Sequence, residues 1–308
     1  MQLIYEIENY QPGNRELYLA LGNFDGVHRG HQRLIKQAVA HKNAGQGISA
    51  AFIFEPHPAQ LLTPDRMPRL LGTPIRKARQ LESLGLELLI YNRFTRDIAS
   101  LSPEEFVKNF LVERMQVKEV FVGFNHTFGF KGQGTPETLQ QLGQKYGFAV
   151  NVIEPVTVDG ELVSSSAIRQ ALEEGKISQA ARMLGYDPIL DGIVVEGEHR
   201  GHQLGFPTAN VGIEKSFNIP AKGVYAARAE VNGQRYNAVV NIGSKPTFHA
   251  AYPISVEAYL FDFNSDIYGQ AISLSFVQKI RDEKRFDSID ALVTQIKQDA
   301  QTAQAILA

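Results

Sequence analysis

Residues 17–31 read LYLALGNFDGVHRGH. Leu17 to Leu21 have the length of a buried strand, and they run into a segment with three glycines, an aspartate and two histidines spaced three apart. A strand ending near Gly22 and a helix beginning near Gly30 make this the first strand-to-helix crossing of a parallel sheet. Ligands of such sheets bind outside the carboxyl ends of the strands. Exposed backbone N–H groups and the positive end of the helix favour a phosphate there, and glycine lets it approach closely. His28 and His31 can share one face of a turn and donate to phosphate oxygens. On these residues alone a phosphate, a metal ion and a plain glycine-rich turn all remain open. The metal reading is the weakest of the three, because zinc takes three or four protein ligands and the chain has no cysteine to offer.

Outward from this crossing, short apolar runs alternate with helical patterns. The spacing predicts strands at 48–54, 86–91, 119–123 and 148–153, with helices between them. Ser102-Pro103-Glu104-Glu105 has the serine cap, first-turn proline and third-position glutamate of a helix start, and Thr135-Pro136-Glu137 opens another. From Ile189 the pattern changes to closely spaced strands at 189–196, 224–231, 235–242, 254–261 and 272–280, with an Asn232-Gly233 hairpin turn. This half reads as an antiparallel sheet or small barrel. Behind Asp287 and Ser288, Ile289, Leu292, Val293 and Ile296 follow the helical i, i+3, i+4, i+7 spacing, so an amphipathic helix is expected there. The turn residues Gly185 to Pro188 put the expected boundary between domains at 1–186 and 187–308.

Composition narrows the function classes. With 308 residues, 44% of them hydrophobic and 21% charged, the chain can build cores of ordinary size. Thirty-one basic against 33 acidic residues create no field suited to a polyanion, so nucleic acid is not an expected partner. The start, MQLIYEIENYQPG, carries acids where a secretory signal carries lysines, and no apolar run of about 18 residues occurs. A cytoplasmic protein without a membrane partner is expected.

A second phosphate candidate is Val163-Ser164-Ser165-Ser166-Ala167-Ile168-Arg169, read as opening a helix after the strand at 148–153. Serines there normally cap the helix. Three hydroxyls with an arginine one turn on also supply donors and a fixed positive charge for a polyphosphate. Together, GNFDGVHRGH and VSSSAIR resemble the signature of the HxGH nucleotidylyltransferases, in particular the prokaryotic bifunctional riboflavin kinase/FAD synthetases. Phe54-Glu55-Pro56-His57-Pro58 and Phe121 to Gly129 resemble further blocks of that family. One departure is His126, where an aromatic residue commonly follows the Asp or Asn at position 125.

The resemblance implies an N-terminal α/β Rossmann-like nucleotidylyltransferase domain with a parallel sheet. It also implies a C-terminal antiparallel β-barrel riboflavin kinase domain with a terminal helix. Gly22, Phe24, Asp25, Gly30, Ser164, Ser165, Ser166 and Arg169 would surround the ATP phosphates, with His28 and His31 catalytic and His57 and Asn125 at the flavin. An FMN phosphate oxygen would attack the α-phosphorus of ATP, a step needing no base because the nucleophile is already anionic.

The second half carries its own signature. Gly197 to Asn210 reads as an ordinary loop, or as one whose Thr208 and Asn210 offer oxygen ligands to Mg²⁺ on a nucleotide. GFPTAN (residues 205–210) is the signature block of riboflavin kinases, and Gly223-Val224-Tyr225, Asn241-Ile242-Gly243, Pro246-Thr247-Phe248, Val256-Glu257 and Arg281 to Phe286 match in order. Gly205, Pro207 and Thr208 are then implied to bind ATP, Thr208 and Asn210 the Mg²⁺, and Arg281 the flavin. By alternation Glu257 shares a face with Ser255 and Tyr259, a pattern that usually means a solvated carboxylate. The resemblance makes it instead the base that accepts the proton of the riboflavin 5′-hydroxyl. The implied partners are riboflavin, FMN and ATP, with flavoproteins as acceptors of the product.

Overall fold

Six runs of the first half form one parallel sheet: β1 (Gln2–Tyr5), β2 (Leu17–Leu21), β3 (Ile48–Phe54), β4 (Leu88–Asn92), β5 (Val117–Gly123) and β6 (Ala149–Ile153). The computed structural model describes residues 1–45, 47–197, 206–244 and 254–308. It divides into two units, Met1–Pro68 with Pro74–Ser164, and Arg69–Thr73 with Ser165–Ala308.

In the first unit the strand order is β1-β4-β3-β2-β5-β6. From β2 the chain runs outward through β3 to β4, then crosses back to β5 on the other side of β2. The crevice at this reversal, between the carboxyl ends of β2 and β5, is where such sheets bind ligands. Helices cover both faces, which explains why β2 is apolar at every position rather than alternating. Leu17, Leu19 and Leu21 pack with Phe106, Val107, Leu111 and Leu139 on one face. Tyr18 and Ala20 pack with Leu34, Ile35 and Ala38 of α1 (Arg29–Gly45) and with Ala78 and Leu81 on the other.

After α1 come α2 (Pro58–Leu62), α3 (Pro74–Ser83), α4 (Arg96–Ser100), α5 (Pro103–Phe106, continuing into the π-helical turns Val107–Arg114) and α6 (Pro136–Tyr146). Both expected helix starts form. Ser102 Oγ accepts from Glu105 N at 3.2 Å while Glu105 Oε2 accepts from Ser102 N at 2.8 Å, a reciprocal cap that contributes on the order of 1 kcal/mol. Thr135 Oγ1 accepts from Thr138 N at 3.3 Å.

One expectation is corrected here. The serine-arginine segment does not follow the parallel sheet directly, because a two-stranded hairpin, β7 (Thr157–Val158) and β8 (Glu161–Leu162), intervenes. Its turn residues Asp159 and Gly160 both have positive φ, 54° and 81°, the conformation that joins tightly paired strands.

The second unit begins with α7 (Ser165–Glu173) and α8 (Ile177–Leu184), followed by β9 (Ile189–Val195), β10 (Ala209–Gly212), β11 (Gly223–Val231), β12 (Gln234–Ser244), β13 (Ile254–Leu260), β14 (Ala271–Arg281) and α9 (Ile289–Leu307). The strands close into an antiparallel barrel in the order β10-β13-β12-β11-β14-β9. Packing thus divides the chain before α7, whereas the change in strand pattern comes after α8. The interior is built by alternation: Val240 and Ile242, Val256 and Ala258, and Leu274 and Phe276 are all buried. Ala303 and Leu307 of α9 pack on the outer wall against Ala226 and Phe261, with Val239 and Tyr259 beside them. Asn232 and Gly233 have the positive φ values of the expected hairpin turn, 52° and 75°.

Candidate functional site

The histidine segment leaves β2 at the reversal point through a tightly wound loop. Phe24, Gly26 and Val27 all have positive φ (48°, 78° and 36°), a conformation that costs a β-branched valine energy. Burial offsets that cost, since Phe24 is fully inaccessible and Val27 is 1% exposed. Gln32 Nε2 donates to Val27 O at 2.8 Å, and α1 begins with Gln32 N donating to His28 O at 2.8 Å. The imidazoles of His28 and His31 stack with centroids 3.6 Å apart, and Phe24 meets His31 edge-on at 5.3 Å.

Two glycines are explained by these rings. A Cβ at Gly22 would sit 3.2 Å from the Phe24 ring, and one at Gly30 3.2 Å from the His28 ring. Space kept by glycine is therefore filled by the loop's own side chains.

Burial, then the positive charges of His28 and Lys77, hold His31 well below the usual histidine range. Its ring is neutral at pH 7. Its Nδ1 is buried with no hydrogen-bond partner among the described residues.

Residues from neighbouring strand ends join this loop. His57, just beyond β3 and a cis Glu55–Pro56 bond, caps α2 by accepting at Nδ1 from Ala59 N at 3.2 Å. The proton of the neutral ring is then on Nε2, which lies 3.2 Å from the Asn23 carboxamide, so the amide oxygen belongs at that contact. Asn125 is exposed on the loop after β5. The adjacent His126 stacks on Phe128 at 6.0 Å, and burial lowers it to about 4.

That depression has a definite sign. Below pH 6.5 the unfolded chain takes up a proton that the folded His126 refuses, so its contribution to stability is present above that pH and declines as pH falls toward 4. His126→Phe should remove about 1–2 kcal/mol of the stability lost between pH 7 and pH 5, allowing for solvent at its partly exposed edge. Urea unfolding of both chains at the two pH values measures this, and equal losses would contradict it.

Of the second segment, Ser164 closes the first unit, while Ser165, Ser166 and Arg169 lie on the first turns of α7. Arg169 Nε donates to Arg69 O at 2.6 Å.

In the barrel, register brings candidates together. Asn210 of β10 pairs with Glu257 of β13, and Glu257 pairs on its other side with Asn241 of β12. Directly paired residues point to the same face, with Cβ atoms about 5 Å apart. Since Val256 and Ala258 face inward, the row Asn210–Glu257–Asn241 lies on the outer wall. Thr208 stands immediately before β10, two residues ahead of Asn210, and Pro207 is exposed. Gly197 lies against Asn210, where an added Cβ would come 2.0 Å from Nδ2. Gly205 and the Pro246-Thr247-Phe248 block lie outside the described residues.

Arg281 is engaged inside the fold. Its guanidinium donates to Asp299 of α9 from Nε (3.0 and 3.1 Å) and Nη2 (2.7 Å), and from Nη1 to Asp282 O at 2.9 Å. Asp299 is 3% exposed, so this pair anchors α9, with the Phe286 ring 5.7 Å from the guanidinium carbon.

Sequence reasoning missed Asn241, Lys77 and Gly197 as individual residues. Asn241 was within reach, since it stands two positions before Gly243 in a strand whose alternation marks it as outward. Lys77 had no signal, because a lysine on an amphipathic helix reads as solvent-facing.

Comparison with known proteins agrees with this fold. Residues 10–167 match the FAD synthetase family and residues 184–307 the riboflavin kinase family. The chain is 42% identical to the bifunctional riboflavin kinase/FMN adenylyltransferase of Bacillus subtilis, over 92% of this chain and 90% of that one. It is 36% identical to the protein of the same description from Escherichia coli, over 99% and 97%. A crystal structure called a macrolide-efflux protein, from Streptococcus pneumoniae, superposes with a TM-score of 0.88 at 31% identity, covering 98% of each chain. No described helix here is long and apolar enough to cross a membrane.

Proposed function

Since the chain belongs to the family of bifunctional riboflavin kinase/FMN adenylyltransferases, we propose a division of its chemistry between the histidine loop and the barrel row. The enzyme phosphorylates riboflavin to FMN and adenylylates FMN to FAD, each time with ATP. In our reading residues 1–186 carry the adenylyl transfer and residues 187–308 the kinase reaction, in the cytoplasm.

The observation that carries this reading is the registered row Asn210–Glu257–Asn241. A hydroxyl nucleophile needs a base, and Glu257 is the carboxylate of that row. It accepts the proton of the riboflavin 5′-hydroxyl as that oxygen attacks the γ-phosphorus and ADP leaves. Thr208 and Asn210 are oxygen ligands suited to Mg²⁺, which would draw charge from the ATP phosphates. Gly205 and Pro207 belong to the same ATP-binding segment. Arg281 is the flavin-binding residue of the barrel in this reading, its guanidinium placed by the pairing with Asp299 of α9.

In adenylyl transfer the nucleophile is a phosphate, so the residues position and stabilise charge. His28 and His31 donate to the α-phosphate, while Ser164, Ser165, Ser166 and Arg169 hold the departing pyrophosphate. Gly22, Phe24, Asp25 and Gly30 shape the loop. His57 and Asn125 contact the flavin, with His126 beside them in place of the usual aromatic ring.

The test supplies riboflavin or FMN separately with Mg-ATP and resolves the products by chromatography. In Gly197→Ala the new methyl displaces the Asn210 carboxamide. FMN formation should then fall about tenfold and its half-maximal Mg²⁺ concentration rise, by analogy with lost metal-site support. Conversion of supplied FMN to FAD should be unchanged. Equal loss of both activities in a folded chain would overturn the division.

A further inference from the structure

Lys77 is 9% exposed, on a helix whose inward positions Ala78 and Leu81 join the core. A buried ammonium persists only with compensating partners. The charges acting on it are Glu55, just past β3, and Asp25, in the histidine loop past β2. Asp25, 4% exposed, and His28, 7% exposed, are buried with it. Glu55 is pushed up by burial, with Lys77 opposing the shift and Asp25 adding to it, and Tyr91 is the other titratable group that Glu55 affects. Lys77 also acts on His31. Ala78 and Leu81, beside Lys77 on the helix, pack in one apolar cluster with Phe24 and Val27 of the histidine loop, so the lysine, the two carboxylates and the two histidines gather around that loop.

Two carboxylates are an odd provision for a triphosphate site, since their charge opposes the substrate's. We propose that Lys77 is a positioning residue of the adenylylation site, where its buried ammonium beside the histidine loop cancels carboxylate charge of Asp25 and Glu55 that would otherwise repel ATP. The ligand this serves is the nucleoside triphosphate of the second reaction, so the inference rests on the histidine-loop reading.

The full chain is assayed for conversion of FMN to FAD as ATP is varied. Lys77→Met should lower kcat/KM for ATP about 100-fold, the scale of an unpaired buried charge, while riboflavin phosphorylation stays at its parental rate. Lys77→Arg should recover most of the loss. Adding Glu55→Gln to Lys77→Met removes one uncompensated carboxylate and should reduce the deficit to about tenfold. Space-filling alone predicts no such rescue. Should Lys77→Met alone fail to fold, the double variant carries the test. Parental ATP dependence in either chain, or a folded single variant no worse than the double, overturns the proposal. His28→Ala, run in parallel, separates the two ideas: if it leaves FAD synthesis intact the histidine-loop reading fails, and if it abolishes synthesis while Lys77→Met does not, only the role of Lys77 fails.

Discussion

Glu257→Gln should lower the rate of FMN formation by about 10³-fold, the middle of the range for a lost general base. Glutamine matches glutamate in size and keeps the paired row with Asn210 and Asn241 intact. Nucleotide and Mg²⁺ binding should therefore be unaffected, so KM for ATP stays near its parental value and the loss falls on kcat. FMN supplied to the variant should still become FAD. A kcat within tenfold of the parent would remove Glu257 from the role of base, and a lost FAD step would show that the two reactions share it.

His28→Ala should have the converse effect. The loop presents two imidazoles stacked at 3.6 Å, and removing one donor from a site that stabilises developing charge costs about 10² to 10³ in rate. Part of the loss will come from His31, whose ring is held by His28 on one side and Phe24 on the other. With riboflavin and Mg-ATP the variant should accumulate FMN as a dead-end product. Rapid FAD formation in the folded variant would sink the assignment.

How far the sequence could be read depended on the size of the interaction concerned. β2 and β3 match their expected residues, because a strand buried on both faces is written as an uninterrupted apolar run. The caps at Ser102 and Thr135 and the Asn232-Gly233 turn were equally visible, since each is settled within four residues. β1 and β10, four residues each, were not. Neither carries a pattern longer than chance, and β10 has meaning only through its partners. The same limit applied to the site. GNFDGVHRGH was legible as a glycine-rich crossing from strand to helix, but what occupies the space over Gly22 and Gly30 emerges only when Phe24 and His28 fold back. Lys77 was invisible for a related reason: its helix is buried by packing with Phe24 and Val27, some fifty positions earlier in the chain.

The outer-wall position of Asn210, Glu257 and Asn241 also governs how this enzyme can change over generations. In a barrel wall every residue has a parity, inward or outward, fixed by the count from the end of its strand. Loss of one residue within β13 would exchange the two sets, turning Glu257 into a carboxylate among Val240 and Ile242 and leaving Val256 or Ala258 outside. Substitutions can sample the outer wall one side chain at a time, whereas changes of length inside these strands strike core and outer row together. Length variation is thereby steered to the connections, and the spacing of the row is inherited as strictly as its residues.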